Sequence, residues 1–333
     1  MQAIVLVGGE GTRLRPLTRH VPKPALTLVD RPFLAYVVEW LAGHGVDEIV
    51  LACGALPEVL RAELGGEEHG GVRLTYVTEP EPRGTAGAIR FAADALGERL
   101  GERFLALNGD VLSDLDLGAL LRSHEQRGAR ASIALHEVED SSHYGLVSSE
   151  DDGAVREFCE KSGEEVPGAI NAGAYVLERS VLELIESGAK VSIEREVFPR
   201  LIGEGLYALQ LAGYWMDFGT PDRYLQATWD ILEGRVATRV RPTGHGMFVD
   251  PGAEIDADAE VGPRAVVAAG CRVGPGATVA GSVLLAGSSV GAGARVDGSI
   301  LAPRAVAEAG AVLAGAVLGR DERVPAETDP AAT

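Results

Sequence analysis

The chain has 333 residues, 46% of them hydrophobic, enough to bury one large core and a second unit. Its formal net charge of -19 opposes association with nucleic acid or an anionic membrane surface. No apolar stretch reaches the length of a membrane span, and the run at residues 3–7 is too short for a secretory leader.

Through the first two-thirds, short apolar runs alternate with helical patterns. Strands are expected at residues 3–7, 48–53, 73–78, 103–107 and 131–137. A helix is expected at 32–44, opened by Pro32 and carrying Phe33, Val37, Trp40 and Leu41 at helical spacing. This alternation implies an α/β fold with a doubly wound, mostly parallel sheet, which binds ligands beyond the carboxyl ends of its strands. Gly8 and Asp110 fall at such ends.

From about Gly252 the texture becomes Ala- and Gly-rich hexads. Ile255, Val261, Val267, Val273 and Val279 recur six apart, and the beat resumes at Leu284, Val290 and Val296, then at Val306, Val312 and Leu318. Such hexapeptide repeats form a parallel β-helix with each branched apolar residue pointing inward. The expected division is therefore 1–240, a β-helix at 250–320, and a disordered tail at 321–333.

The three cysteines, Cys53, Cys159 and Cys271, are far apart and make neither a disulfide framework nor a CxxC metal site, which points to the cytoplasm. With no histidine or cysteine at ligand spacing, any metal is expected on oxygen. Reading the sequence gives only Lys23, Lys161 and Lys190, so 27 of 30 basic residues are arginine. Where Arg is the default, a retained Lys suggests that a compact point charge is wanted.

Gly8-Gly9-Glu10-Gly11-Thr12-Arg13-Leu14 follows the first expected strand. A glycine loop there offers backbone N–H groups to a triphosphate, with Arg13 to meet its charge. A dinucleotide fingerprint would need glycine where Leu14 stands, and no GK[ST] follows to make a P-loop. The segment continues through Arg15-Pro16-Leu17-Thr18 to Pro22-Lys23-Pro24. Here the chain resembles the sugar nucleotidyltransferase (nucleotide-sugar pyrophosphorylase) family, whose signature runs GGxGTRLxPLTxxxPKP. The resemblance extends through Asn108-Gly109-Asp110, Glu160-Lys161, Ile170-Asn171-Ala172-Gly173 and Trp215-Met216-Asp217. The segments 192–199 and 213–217 look most like the mannose-1-phosphate guanylyltransferase branch.

The resemblance implies a Rossmann-like nucleotidyltransferase domain followed by a left-handed β-helix. It implies attack of a sugar 1-phosphate on the α-phosphorus of a nucleoside triphosphate, with Arg13, Lys23 and Asp110 as catalytic groups and Mg2+ on Asp110 and Asp217. Leu6, Gly8, Gly9, Gly11, Thr12 and Arg13 would contact the nucleotide, as would Glu79, Gly84, Thr85 and Asn108. Lys161 would hold the sugar phosphate, and Gly145, Glu160, Asn171 and Gly173 would face the sugar. Thr27, Arg83 and Ser162 depart from the family pattern without removing a charge that the chemistry needs.

Glu79 bears on the base. A carboxylate accepts hydrogen bonds only, and guanine offers adjacent N–H donors on its pairing edge, so GTP is favoured. Two other readings stand beside turnover: a regulatory subunit that keeps the fold, and acyl transfer on the β-helix, for which His245 is the nearest histidine. The hexads are expected to mediate homo-oligomerisation.

Overall fold

The computed structural model describes the chain except residues 10, 55, 143, 160–164, 245 and 327–333, and the side chain of Cys159. Two compact units emerge from the contacts: Met1–Glu10 with Leu34–Trp215, and Gly11–Phe33 with Met216–Thr333. The segment 11–33 and the stretch 216–240, grouped by sequence with the first domain, thus pack with the repeats.

The first unit is built on a ten-stranded sheet. Its strands in chain order are β1 (Gln2–Val7), β2 (Glu48–Cys53), β3 (Glu68–His69), β4 (Val72–Thr78), β5 (Arg103–Asn108), β6 (Ala131–Val138), β7 (Leu146–Ser149), β8 (Val155–Cys159), β9 (Gly168–Glu178) and β10 (Leu206–Gln210). Across the sheet they run β8-β7-β9-β5-β1-β2-β4-β3, with β6 paired to β9 and β10. The block β4-β2-β1-β5 is parallel. Its central strand buries Ala3, Ile4 and Val5 completely, the continuous apolar run of a strand covered on both faces.

Around β9 the sheet turns antiparallel, pairing it with β5, β6 and β7, and the register shifts between Asn171 and Tyr175. Helix α1 (Phe33–Gly43) forms where residues 32–44 predicted it, and α2 (Pro57–Glu63) follows β2. Helix α3 (Gly84–Leu96) presents Ala86, Ile89, Ala92, Ala93 and Leu96 to a core shared with Ile4, Val50 and Phe104.

Helix α4 (Leu117–Arg127) is capped by Asp116, which accepts from Ala119 N, and it closes on Gly128 in a left-handed conformation. Its His124 is fully buried. The ring bonds Ser132 Oγ at 2.9 Å through Nδ1 and Glu178 Oε1 at 3.0 Å through Nε2, and Arg103 Nε donates to the same Glu178 oxygen at 2.6 Å. This network ties α4 to β5, β6 and β9.

In the second unit, α5 (Pro221–Leu232) begins at Thr220, whose hydroxyl accepts from Arg223 N, with Pro221 at the first helical position. The buried Tyr224 hydroxyl donates to Thr27 O at 2.6 Å. The repeats then form three ladders of short parallel strands, consistent with a left-handed β-helix. In the second ladder Ile255 pairs with Val273 after 18 residues, and Val273, Val290, Ala307 and Val324 follow at intervals of 17. The shortening sits at one corner: Val279 to Leu284 takes five steps where Val261 to Val267 took six.

That spacing corrects the expected phase. Val306 and Val312 do not fill the interior. Ala307 and Leu313 do, being 0% and 6% exposed, while Val312 is 49% exposed. Ile255, on the first coil, is also exposed. The shortened corner carries a serine ladder in which Ser299 N donates to Ser282 Oγ and Ala316 N to Ser299 Oγ, both at 3.0 Å. A second correction concerns the end of the chain: Arg323–Val324 pairs with Val306–Ala307, so the coil continues into the segment expected to fray at 321.

Candidate active site

In the first unit the site residues gather at the carboxyl ends of β1 and β5. Leu6 is half-buried near the end of β1, and Gly8 and Gly9 follow it, exposed. Asn108 ends β5 opposite Leu6, and Gly109 N donates to Leu6 O at 2.8 Å. A Cβ on Gly109 would lie 2.6 Å from Val7 Cγ1, so only glycine lets this turn press against β1. Asp110 is the next residue.

Gly173 sits at φ +72° and donates from its N–H to Asn171 Oδ1 at 2.9 Å; a Cβ there would lie 2.7 Å from Asn108 Nδ2. Asn108, Asn171 and Gly173 are therefore brought together by backbone shape. Asn171 Nδ2 donates to the Tyr175 hydroxyl at 2.9 Å. Tyr175 is fully buried, and its phenol is pushed well above the ordinary range by burial first, then by the charge of Glu194, with Asp110 adding to it.

Glu194 is the centre that spacing did not reveal. Its Oε2 accepts from Thr85 Oγ1 at 2.9 Å and from Ser192 Oγ at 2.8 Å, and Thr85 Oγ1 accepts from Ile193 N at 2.8 Å. Gly84 opens α3 where a Cβ would meet Val191 O at 2.6 Å. Thr85 thus anchors α3 to the 191–194 segment. Glu194 and Ser192 belong to the stretch that marked the family branch, which was the only sequence signal for them.

Glu79 stands apart. Its N–H donates to Cys53 O at 2.9 Å, and its Oε2 accepts from Arg83 N at 3.1 Å, closing the loop ahead of α3. Burial raises its carboxyl, opposed by the Arg83 N–H and the Arg83 charge. Gly145, half-buried, follows Tyr144, whose ring meets Trp215 edge-on at 5.3 Å. Trp215 Nε1 donates to Ala172 O at 2.9 Å, and His136 stacks on its ring at 5.8 Å. Tyr144 and His136 were also missed by sequence. Glu160 and Lys161 lie outside the described residues.

The second unit holds Arg13, Lys23 and Asp217. Gly11 is left-handed at φ +60°, and Thr18 Oγ1 donates to its carbonyl at 2.7 Å, folding the loop over Lys23. Thr12 is exposed at the start of a short 3-10 turn that includes Arg13. Lys23 is only 6% exposed; its Nζ is 3.6 Å from Asp217 Oδ1 and 5.4 Å from the centre of the Phe218 ring. Arg13 Nη2 stands 3.9 Å from Asp217 Oδ2. Asp217 Oδ1 is buried and has no hydrogen-bond partner among the described residues.

Two cations therefore face one carboxylate at distances too long for hydrogen bonds. Among the described residues no cluster of three or more His, Cys, Asp or Glu could cage a metal by itself.

Residues 2–234 match the family described as nucleotidyl transferase, and the chain belongs to that family: it is a nucleotidyltransferase. Residues 244–329 match the family described as GMPPB C-terminal domain. The chain is 37% identical over 289 residues to a mannose-1-phosphate guanylyltransferase of Mycobacterium tuberculosis, covering 85% of this chain and 79% of the relative. It is 40% identical over 285 residues to mannose-1-phosphate guanylyltransferase 1 of Arabidopsis thaliana, covering 83% and 79%. Among solved structures, HddC from Yersinia pseudotuberculosis in complex with GMP-PN superposes with a TM-score of 0.59 at 27% identity, over 69% of this chain and 99% of that one.

Proposed function

We propose that the protein transfers the guanylyl group of GTP to mannose 1-phosphate, giving GDP-mannose and pyrophosphate. The observation that carries this reading is the 37–40% identity to mannose-1-phosphate guanylyltransferases over more than four-fifths of the chain. A phosphate oxygen of the sugar attacks the α-phosphorus, and the bond from that phosphorus to the bridging oxygen of pyrophosphate breaks. Arg13 and Lys23 neutralise the leaving pyrophosphate, so their work is charge compensation at a fixed place.

We assign Mg2+ to Asp110 and Asp217; the buried Oδ1 of Asp217, which accepts no hydrogen bond among the described residues, supports the part given to it. When bound, the ion supplies Lewis-acid compensation of phosphate charge. Lys161 is assigned to the sugar phosphate, and Glu160, Asn171, Gly145 and Gly173 to the sugar, by the same resemblance. Glu79 is assigned to guanine. The cytoplasm is the proposed setting, and the coils the proposed self-association surface; a monomeric mass in solution would remove the latter.

The test is pyrophosphate release with Mg2+ for four nucleoside triphosphates, each crossed with mannose 1-phosphate and glucose 1-phosphate. GTP with mannose 1-phosphate is expected to give the highest kcat/KM. Preference for dTTP or UTP with glucose 1-phosphate would overturn the assignment of base and sugar.

A further inference from the structure

The second unit contains a cavity of about 460 Å3 whose lining includes neither Lys23 nor Asp217. It is lined by Arg15, Pro16, Arg19, His20, Val317, Gly319, Arg320 and Glu322. The loop forms one wall and the last complete turn of the coil the other: a Cβ on Gly319 would sit 3.2 Å from Pro16 Cβ. The far wall is fixed, because Glu322 Oε2 accepts from Gly319 N at 2.7 Å.

Its charge runs against the composition. The chain carries 49 acidic and 30 basic residues, yet this cavity gathers three arginines and a histidine around a single carboxylate. The next acid, Asp321, is already neutralised: Arg304 Nε and Nη2 donate to its two oxygens at 2.6 and 2.7 Å. Asp321 is held below the ordinary carboxylate range by Arg304 first, with Arg320 and His20 contributing, which places both near this corner. Among the described residues, the side chains of Arg19, His20 and Arg320 take part in no hydrogen bond or ion pair within 4 Å. Cations that outnumber the acids around them repel one another, and an anion between them removes that repulsion.

We propose that this cavity binds a small phosphate monoester distinct from the substrates, and that its occupancy is felt at the loop bearing Arg13 and Lys23. Guanidinium groups suit phosphate because their planar fork meets two oxygens at once. The volume exceeds what a bare ion needs and falls in the range of roughly 300–1,000 Å3 usual for small-molecule sites, so the phosphate is expected on an organic stem. The site does not depend on which nucleotide or sugar the enzyme uses.

The experiment is calorimetric titration of glycerol 3-phosphate and of orthophosphate into the wild-type chain, the double variant Arg19→Ala/Arg320→Ala, and Lys23→Met. Binding of glycerol 3-phosphate is expected in the wild type and in Lys23→Met, and about tenfold or more weaker in the double variant. Glu322→Gln, which keeps an acceptor for Gly319 N while removing the charge, is expected to tighten it roughly two- to fivefold. Binding lost in Lys23→Met but kept in the double variant would overturn the proposal, since the anion would then be reading the catalytic residues. Orthophosphate binding as tightly as the ester would overturn the organic stem. Turnover at low GTP is expected to respond to glycerol 3-phosphate in the wild type and not in the double variant; superimposable responses would overturn the coupling to the loop.

Discussion

Lys23 Nζ stands 3.6 Å from Asp217 Oδ1, an oxygen that is buried and accepts no hydrogen bond among the described residues. A carboxylate with an unused buried oxygen is costly to keep unless a ligand completes it. Asp217→Asn is therefore expected to lower kcat by roughly 100- to 1,000-fold with little change in Tm. Turnover within a factor of about three of wild type would exclude Asp217 from the chemistry.

Glu79→Gln isolates base recognition from loop structure. The amide carbonyl still accepts from Arg83 N, so the turn into α3 is preserved. What changes is that a donor enters where only an acceptor stood. The ratio of GTP to dTTP kcat/KM is expected to fall about tenfold, as one mispaired polar contact would give. An unchanged ratio would release Glu79 from base selection.

Gly173→Ala places a Cβ 2.7 Å from Asn108 Nδ2 at a backbone angle of φ +72°. The left-handed conformation alone costs about 1–2 kcal/mol for a residue with a side chain. Because Asn108 must move, KM for the nucleotide is expected to rise along with the loss of stability. A variant with lower Tm but wild-type KM would show that Asn108 does not touch the nucleotide.

Neighbouring residues of the coil give the sharpest contrast. Leu313→Ala empties an inward position and is expected to cost about 2–5 kcal/mol, while Val312→Ala, on the exposed side, is expected to change stability by about 0.5 kcal/mol or less. Chemical denaturation of the two variants checks this, and the reverse order would restore the phase expected from sequence.

His124 and His136 govern the acid limb. Burial holds both below the ordinary imidazole value, opposed for His124 by its bond to Glu178 and for His136 by a backbone bond at Leu211. The unfolded chain then binds more protons than the folded one below about pH 6.5, so this stability is complete above that value and lost as pH falls. Tm is expected to drop as the pH falls from about 6.5 to 5.5; a flat profile would show that neither ring resists protonation.

Much of the first unit was legible because its central strands obey a simple rule. Residues 3–7 and 49–53 are unbroken apolar runs, and the strands expected at 3–7 and 48–53 became β1 and β2 with at most one residue of difference. Strand β9 was not legible. Its Gly168, Asn171 and Gly173 carry turn signals, yet the strand is held by β5 and β6 on either side, so tertiary pairing overrides local preference. In the coil, the phase failed at Ala307 because a methyl group gives no apolar signal, while the outward Val312 gives a false one.

Among the site residues, Arg13, Lys23 and Asp217 are legible by charge and motif, and the fold places Asp217 within 4 Å of both cations. Glu194 is not legible as a site residue, since its partner Thr85 lies 109 residues away and no periodicity connects them.

The seventeen-residue interval of the coil makes its length a quantised property. Each rung touches only the rung before and the rung after, so excising residues 283–299 would hand every ladder partner its next neighbour in unchanged register, leaving a column one storey shorter. A deletion that is not a whole number of turns would rotate a polar face into the interior. Growth or loss of this part of the protein is thus confined to whole turns.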